Sequence, residues 1–171
     1  MNNSKKFLNI LLIFVLSCFL GWICEELYCY FIKNVLVNRG FLYGPYLPVY
    51  GFGSVLIILL LKRYKDKPIY LFILSILVTG TLEYLTGYLL FIRYRRTWWN
   101  YNGLLLNING YVCLRSVLMF SVLSFILIYI IDPFVDKIIK KYSNKVYIYI
   151  FSLIILFIML CDFIMTIIFR Y

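Results

Sequence analysis

The sequence contains no histidine among its 171 residues, and only 14% of them are charged. Histidine is the commonest metal ligand and the commonest general base, so its absence removes the usual centre of a metal or hydrolytic site. The five cysteines form no Cys-x-x-Cys pair or other metal-ligand spacing. We therefore expect no metal and no other cofactor. Buried, inert thiols are expected, with a disulfide between Cys24 or Cys29 and Cys113 as the alternative.

The chain also lacks the phosphate-binding loop GxxxxGK[ST] of many ATPases. Any ATP-driven activity would therefore need a separate ATPase subunit. The basic balance, 17 Lys and Arg against 7 Asp and Glu, does not predict a nucleic-acid partner. These cations lie at the ends of apolar segments, where anionic lipid head groups are the simpler partner. We expect membrane lipids to bind there, and no nucleic acid.

Hydrophobic residues, in contrast, make up 64% of the chain, far above their share in a water-soluble domain. Five predominantly apolar segments are candidates to cross a hydrocarbon layer of about 30 Å, at about 1.5 Å of helix rise per residue. No connection between them is long enough to fold separately, so residues 1–171 are predicted to form a single transmembrane helical domain. The predicted spans are Phe7–Ile32, Tyr46–Leu61, Ile69–Ile92, Tyr111–Ile131 and Val146–Phe169. The predicted fold class is all-α, a multi-pass transmembrane helix bundle of about five spans.

The positions of Lys and Arg predict the orientation, because these residues accumulate in short loops on the cytoplasmic side. Ten lie within 5–6, 62–67 and 137–145, and six lie in the connections and the C-terminal end of the opposite side. Arg115 is set aside because it lies inside the start of the fourth predicted span. We therefore expect the N-terminus inside and the C-terminus outside, in a bacterial cytoplasmic membrane. The first span is expected to be retained, because its apolar run continues past any plausible signal-peptide cleavage point.

Two connections on the predicted outer side differ from ordinary loops. Residues 38–53, NRGFLYGPYLPVYGFG, are too apolar for a solvated loop and too rich in Gly and Pro for a regular helix. Irregular backbone at membrane depth needs surrounding protein or a watery cavity, so this segment indicates a polar site. The alternative is a kinked helix start with interfacial tyrosines. Residues 93–109 combine three arginines and two tryptophans with four asparagines, more amides than interfacial anchoring explains.

Carboxylates inside the predicted spans are the sharpest local signal, because each costs at least about 2.5–3.5 kcal/mol unless it is paired or hydrated. Helical spacing puts Glu25 on the stripe Cys18-Gly21-Glu25-Cys29 and Glu83 among glycines and threonines. Both stripes should face the bundle interior. One interpretation is a set of ion pairs that fastens helices together. The other is one outward-facing binding site, with the candidate residues Glu25, Arg39, Tyr43, Glu83, Asn107, Asn109, Arg115 and Asp162.

Segment 39–51, which reads RGFLYGP and then PVYG, resembles a motif of a small bacterial family. That family is the CmpB-like ABC-transporter permeases. The resemblance continues through Glu83, through WNYN at 99–102 and through NINGYVCL at 107–114, and so covers roughly residues 25–124. The usual Trp-Asp-Tyr-Ser of the family is WNYN here, which removes a carboxylate and weakens any cation-binding role for this loop. The resemblance implies a permease subunit and carries over no catalytic residue.

Three classes of function fit these features, and a transport or permease component is favoured. Its expected partners are a separate ATPase subunit, docked on the inner loop Lys62–Pro68, or further copies of the chain. The second class is a membrane-embedded enzyme acting on a lipid or envelope precursor, with a carboxylate as acid or base and arginines binding a phosphate. The third is a non-catalytic binding or sensing membrane protein. No residue is assigned a catalytic role, so an enzyme is the less favoured interpretation.

Overall fold

The computed structural model describes residues 3–34, 40–141 and 145–169. Over these ranges the chain is predominantly helical and contains no β-strand, which confirms the all-α fold class. A 3-10 turn, Lys62–Tyr64, follows α2, and a π-helical segment, Leu127–Ile131, joins α4 to α5. The α-helices are α1 Asn3–Lys33, α2 Pro48–Leu61, α3 Pro68–Tyr94, α4 Leu114–Ile126, α5 Asp132–Lys141 and α6 Lys145–Phe169.

Four helical stretches among the described residues are long and apolar enough to cross a membrane, which confirms a multi-pass bundle. The second predicted span, Tyr46–Leu61, is helical only from Pro48. Its 14 residues rise about 21 Å, less than the hydrocarbon thickness of about 30 Å. The described chain thus has four full-length candidate spans and one shorter apolar helix. The four are Lys5–Phe31, Pro68–Tyr94, Leu114–Lys141 and Val146–Phe169.

The chain divides into two compact units, Met1–Phe52 with Phe134–Tyr171, and Gly53–Pro133. The expectation of a single domain remains a prediction. All five cysteines are free thiols, so no disulfide joins Cys24 or Cys29 to Cys113. Cys24 and Cys161 are exposed, so the expectation of buried thiols holds for the other three cysteines.

In the first unit, the irregular segment 40–47 packs against both α1 and α6. Cys18 of α1, Leu42 and Tyr46 of the segment, and Met159 of α6 form one buried cluster. The start of α2 approaches α1 closely, because a β-carbon at Gly51 would lie only 2.5 Å from Sγ of Cys18. Protein therefore covers one side of the irregular segment, at Leu42, Tyr46 and Leu47, whereas Tyr43 and Pro45 are exposed.

In the second unit, α3 packs against α4 through small and hydroxyl-bearing residues. The buried face of α3 repeats every four residues, at Leu71, Ser75, Thr79, Glu83 and Gly87. The hydroxyls of Ser75 and Thr79 donate to carbonyl oxygens one turn earlier in their own helix, each at 2.7 Å. These polar side chains are therefore satisfied locally and allow a close approach of the two helices.

The π-helical segment Leu127–Ile131 ends two residues before Pro133. Proline has no N–H group and its ring collides with the carbonyl four residues earlier, so a wider turn accommodates it. Asp132, whose side chain is 4% exposed, forms an ion pair with Lys62 at 2.6 Å. The hydroxyl of Tyr129 donates to the carbonyl of Lys65. The connection between α2 and α3 is therefore fastened to the α4–α5 span.

Candidate functional site

Glu83 lies on the face of α3 that packs against α4 and is 7% exposed. One carboxylate oxygen accepts a hydrogen bond from the Ser116 hydroxyl at 2.7 Å, and the other accepts from the Tyr101 hydroxyl at 2.9 Å. Ser116 is placed by the first turn of α4, where it shares a capping box with Cys113. Two neutral hydroxyls, one from a span and one from a loop, thus hold a carboxylate inside an apolar bundle.

The loop that follows α3 is folded by its own polar groups, which explains how Tyr101 reaches Glu83. The backbone N–H of Tyr101 donates to the carbonyl of Gly110 at 2.9 Å, and Nε1 of Trp99 donates to the carbonyl of Tyr111 at 2.8 Å. Gly110 has a φ of 74°, and a β-carbon there would lie 2.7 Å from Oδ1 of Asn102. Only glycine fits this close left-handed position.

Both predicted binding asparagines, Asn107 and Asn109, contribute to the fold of this loop. Nδ2 of Asn107 donates to the carbonyl of Leu104 at 3.0 Å, and Nδ2 of Asn109 donates to the hydroxyl of Tyr84 at 3.0 Å. Asn109 has a φ of 52°, which asparagine tolerates better than most residues. The asparagines therefore fold the loop and fasten it to α3. This accounts for amides that interfacial anchoring left unexplained.

Arg115 is exposed in the first turn of α4, immediately before the serine that binds Glu83. It lines an open groove of about 450 Å³ whose other walls are apolar. Those walls are Leu104, Leu105, Leu114, Leu118 and Met119.

Asp162 on α6 accepts four hydrogen bonds in the first unit. The backbone N–H groups of Tyr43 and Gly44 donate to it at 3.2 and 2.8 Å. The hydroxyls of Tyr46 and Thr166 donate at 2.6 and 3.2 Å. Tyr43, a predicted binding residue, therefore contacts Asp162 through its backbone, and Asp162 fastens the irregular segment to α6.

The three predicted carboxylates share a partner type that sequence reasoning missed, since each accepts a hydrogen bond from a tyrosine hydroxyl. Every one of these tyrosines comes from one of the two irregular connections, 38–53 and 93–109. The concentration of tyrosine in those connections was the available signal. The pairs are Glu25 with Tyr50 at 2.7 Å, Glu83 with Tyr101 at 2.9 Å, and Asp162 with Tyr46 at 2.6 Å.

The chain matches the family described as "Putative ABC-transporter type IV" over residues 12–167. The chain belongs to this family. The CmpB-like resemblance is thereby confirmed, and the protein is a multi-pass membrane protein of an ABC-transporter family. No curated protein and no solved structure matches the chain.

In this ABC-transporter family member, the eight predicted site residues fall into different parts of the structure. The second unit holds Glu83, Asn107, Asn109 and Arg115 on α3, α4 and the loop between them. The first unit holds Glu25, which accepts from Tyr50, and Asp162, which accepts from the backbone of Tyr43. Arg39 lies outside the described residues. A single binding site built from all eight residues remains a prediction.

Proposed function

We propose that the protein is the membrane-spanning permease subunit of an ATP-driven transporter in a bacterial cytoplasmic membrane. The observation that carries this proposal is the family match over residues 12–167, which includes both irregular connections and most of every long span. The buried carboxylate of Glu83 supports it, because ionisable groups inside spans commonly mark the path of a substrate or ion. ATP hydrolysis is assigned to a separate subunit.

The proposed substrate site is the part of the predicted set that lies in the second unit: Glu83, Asn107, Asn109 and Arg115. Tyr101 and Ser116 orient the Glu83 carboxylate, and the folded loop supplies the amides. A carboxylate and a guanidinium at this end of the α3–α4 pair suit a polar or charged substrate. In the first unit, the proposed role of Asp162 is to hold the irregular segment in place.

The ATPase subunit is proposed to dock on the connection between α2 and α3. Arg63, Lys65 and Lys67 are exposed there on a short 3-10 turn and the residues after it. Lys62 and the carbonyl of Lys65 are bonded to Asp132 and Tyr129 in or beside the π-helical segment. A displacement of this connection by the docked ATPase subunit would therefore move the α4–α5 span as well.

Purification in mild detergent, followed by reconstitution into lipid vesicles, tests the permease assignment. We expect an ATPase with a phosphate loop to copurify in a fixed ratio and to hydrolyse ATP in the vesicles. Lys65→Glu should reduce both the ratio and the hydrolysis rate, whereas Arg93→Glu, at the other end of α3, should leave both unchanged. A protein that copurifies with a lipid precursor and no ATPase would favour the enzyme or binding classes and contradict the proposal.

Thiol labelling of intact cells tests the proposed N-in, C-out orientation. Single cysteines placed at Lys6, Lys65 and Lys141 should be protected from an impermeant reagent, and one at Asn102 should react. If α3 and the α4–α5 span each cross the bilayer once, Lys65 and Lys141 face one side and Asn102 faces the other, so the labelling of these three sites tests the orientation. Comparison of the Lys6 site with the Lys65 site tests whether the short helix α2 completes a crossing of the bilayer. If Lys6 and Lys65 label differently, α2 does not complete a crossing and the C-terminus faces the same side as the N-terminus.

A further inference from the structure

Four apolar side chains are exposed on the loop that joins α3 to α4. Leu105 and Leu106 are 72% and 69% exposed, and Leu104 and Ile108 are 41% and 57% exposed. The loop backbone is nevertheless fixed, because Leu104 N donates to the Tyr101 carbonyl at 3.0 Å and Leu114 N donates to the Leu105 carbonyl at 3.2 Å. A folded loop therefore holds these leucines outward. In a membrane protein, such side chains at a span end contact acyl chains.

The same hydrogen bond from Leu114 N to Leu105 forms one edge of the groove that contains Arg115. The groove has a volume of about 450 Å³, which is within the usual range of about 300–1,000 Å³ for small-molecule sites. Its lining joins one guanidinium to five apolar side chains. A guanidinium binds phosphate oxygens bidentately, and leucine and methionine walls suit hydrocarbon.

We propose that this groove binds a membrane lipid with an anionic phosphate head group, with the head on Arg115 and an acyl chain along the leucine walls. The charge of Arg115 argues against a neutral lipid as the preferred occupant, and the apolar walls argue against a free anion. The exposed side chains of Leu106 and Ile108, on the same loop but outside the groove lining, extend the acyl contact beyond the groove. The groove shares Arg115 with the proposed substrate site, and its other five lining residues lie outside that site. Lipid retention therefore tests the groove whether or not the protein transports a substrate.

Lipid retention by purified protein in mixed micelles tests this site. The probes are phosphatidylglycerol, phosphatidylcholine and inorganic phosphate, with bound lipid counted by native mass spectrometry. Wild-type protein should retain phosphatidylglycerol in preference to phosphatidylcholine. Arg115→Gln should lower that retention about tenfold, the size expected for a lost charge-assisted hydrogen bond. Arg93→Gln is the matched control, since it removes an equally basic residue from the end of α3 outside the groove, and it should change retention less than twofold.

A second pair of variants tests the acyl wall without depending on Arg115. Leu105→Ser changes a highly exposed groove residue and should lower retention of phosphatidylglycerol several-fold, whereas Leu89→Ser, on the exposed face of α3, should not. Equal losses in Arg115→Gln and Arg93→Gln would show nonspecific charge attraction and overturn the proposal. Competition by millimolar inorganic phosphate would also overturn it, because the site would then hold a free anion. Thermal unfolding of each variant in the same micelles shows whether any loss follows from unfolding.

Discussion

Glu83→Gln is expected to abolish transport while leaving the thermal unfolding midpoint in detergent nearly unchanged. The glutamine side chain has the same size, and its amide oxygen still accepts a hydrogen bond from Ser116 or Tyr101. Both of those partners are neutral hydroxyls, which also accept hydrogen bonds, so the amide N–H group can be satisfied as well. In its contacts with these two hydroxyls the side chain loses only its negative charge, and in the proposed mechanism the substrate depends on that charge. Transport into vesicles and thermal unfolding are measured on the same purified protein.

Glu83→Leu is the matched control for the structural part of this prediction. It removes both carboxylate oxygens at a similar side-chain volume, so the hydroxyls of Ser116 and Tyr101 lose Glu83 as their hydrogen-bond acceptor. A buried polar group deprived of its partner costs about 1–3 kcal/mol, so this variant should unfold at a clearly lower temperature. Tyr101→Phe removes one donor and should have a smaller effect on stability. A Glu83→Gln protein that transports at the wild-type rate would exclude Glu83 from the substrate site, and one as unstable as Glu83→Leu would make the charge structural.

The sequence was sufficient for the fold class because spans are read from length and hydrophobicity alone. Four spans agree with the structure because nothing but a helix satisfies the backbone of a single long apolar segment in lipid. The second predicted span begins at Tyr46, two residues before the helix begins at Pro48. Tyr46 and Leu47 are as apolar as helix residues, but their segment is held by contacts distant in sequence, including a hydrogen bond from Leu47 N to the Cys18 carbonyl at 3.0 Å. Hydrophobicity does not encode such contacts.

The sequence alone identifies the carboxylates of the candidate sites but not the residues that donate hydrogen bonds to them. Glu25, Glu83 and Asp162 stood out because a charge is costly in an apolar span. Their tyrosine partners lie 25, 18 and 116 residues away in the sequence, so no local spacing identifies them. The sequence marks the asparagines as unusual, and the described contacts of Asn107 and Asn109 serve loop folding. In each case the residue type indicates a polar contact inside the membrane protein. Only the tertiary structure shows whether that contact stabilises the fold or is available to a ligand.

Asp162→Ala is expected to be the most destabilising single change in the first unit. It removes the acceptor of two backbone N–H groups, at Tyr43 and Gly44, and of the Tyr46 and Thr166 hydroxyls. The Thr166 hydroxyl can donate to a carbonyl one turn earlier in its own helix instead, so three bonds are lost outright. At roughly 1 kcal/mol for each lost hydrogen bond, and more where no water replaces the acceptor, the free energy of unfolding should fall by about 3 kcal/mol. Unfolding in mixed micelles of increasing denaturing detergent measures it. Limited proteolysis should also begin to cut within 40–47, because the segment loses its attachment to α6.

Two controls separate this anchoring role from other effects of substitution on α6. Cys161→Ala changes the adjacent exposed residue and should leave both stability and proteolysis unchanged. Tyr46→Phe removes one donor and should cost about 1 kcal/mol, a third of the Asp162→Ala effect. In the double variant the two losses should not add, because the Tyr46 hydroxyl bond is already absent once Asp162 is gone. Full additivity would mean that the described hydrogen bond contributes nothing, and an inactive but fully stable Asp162→Ala protein would move Asp162 from the fold of the first unit into a ligand site.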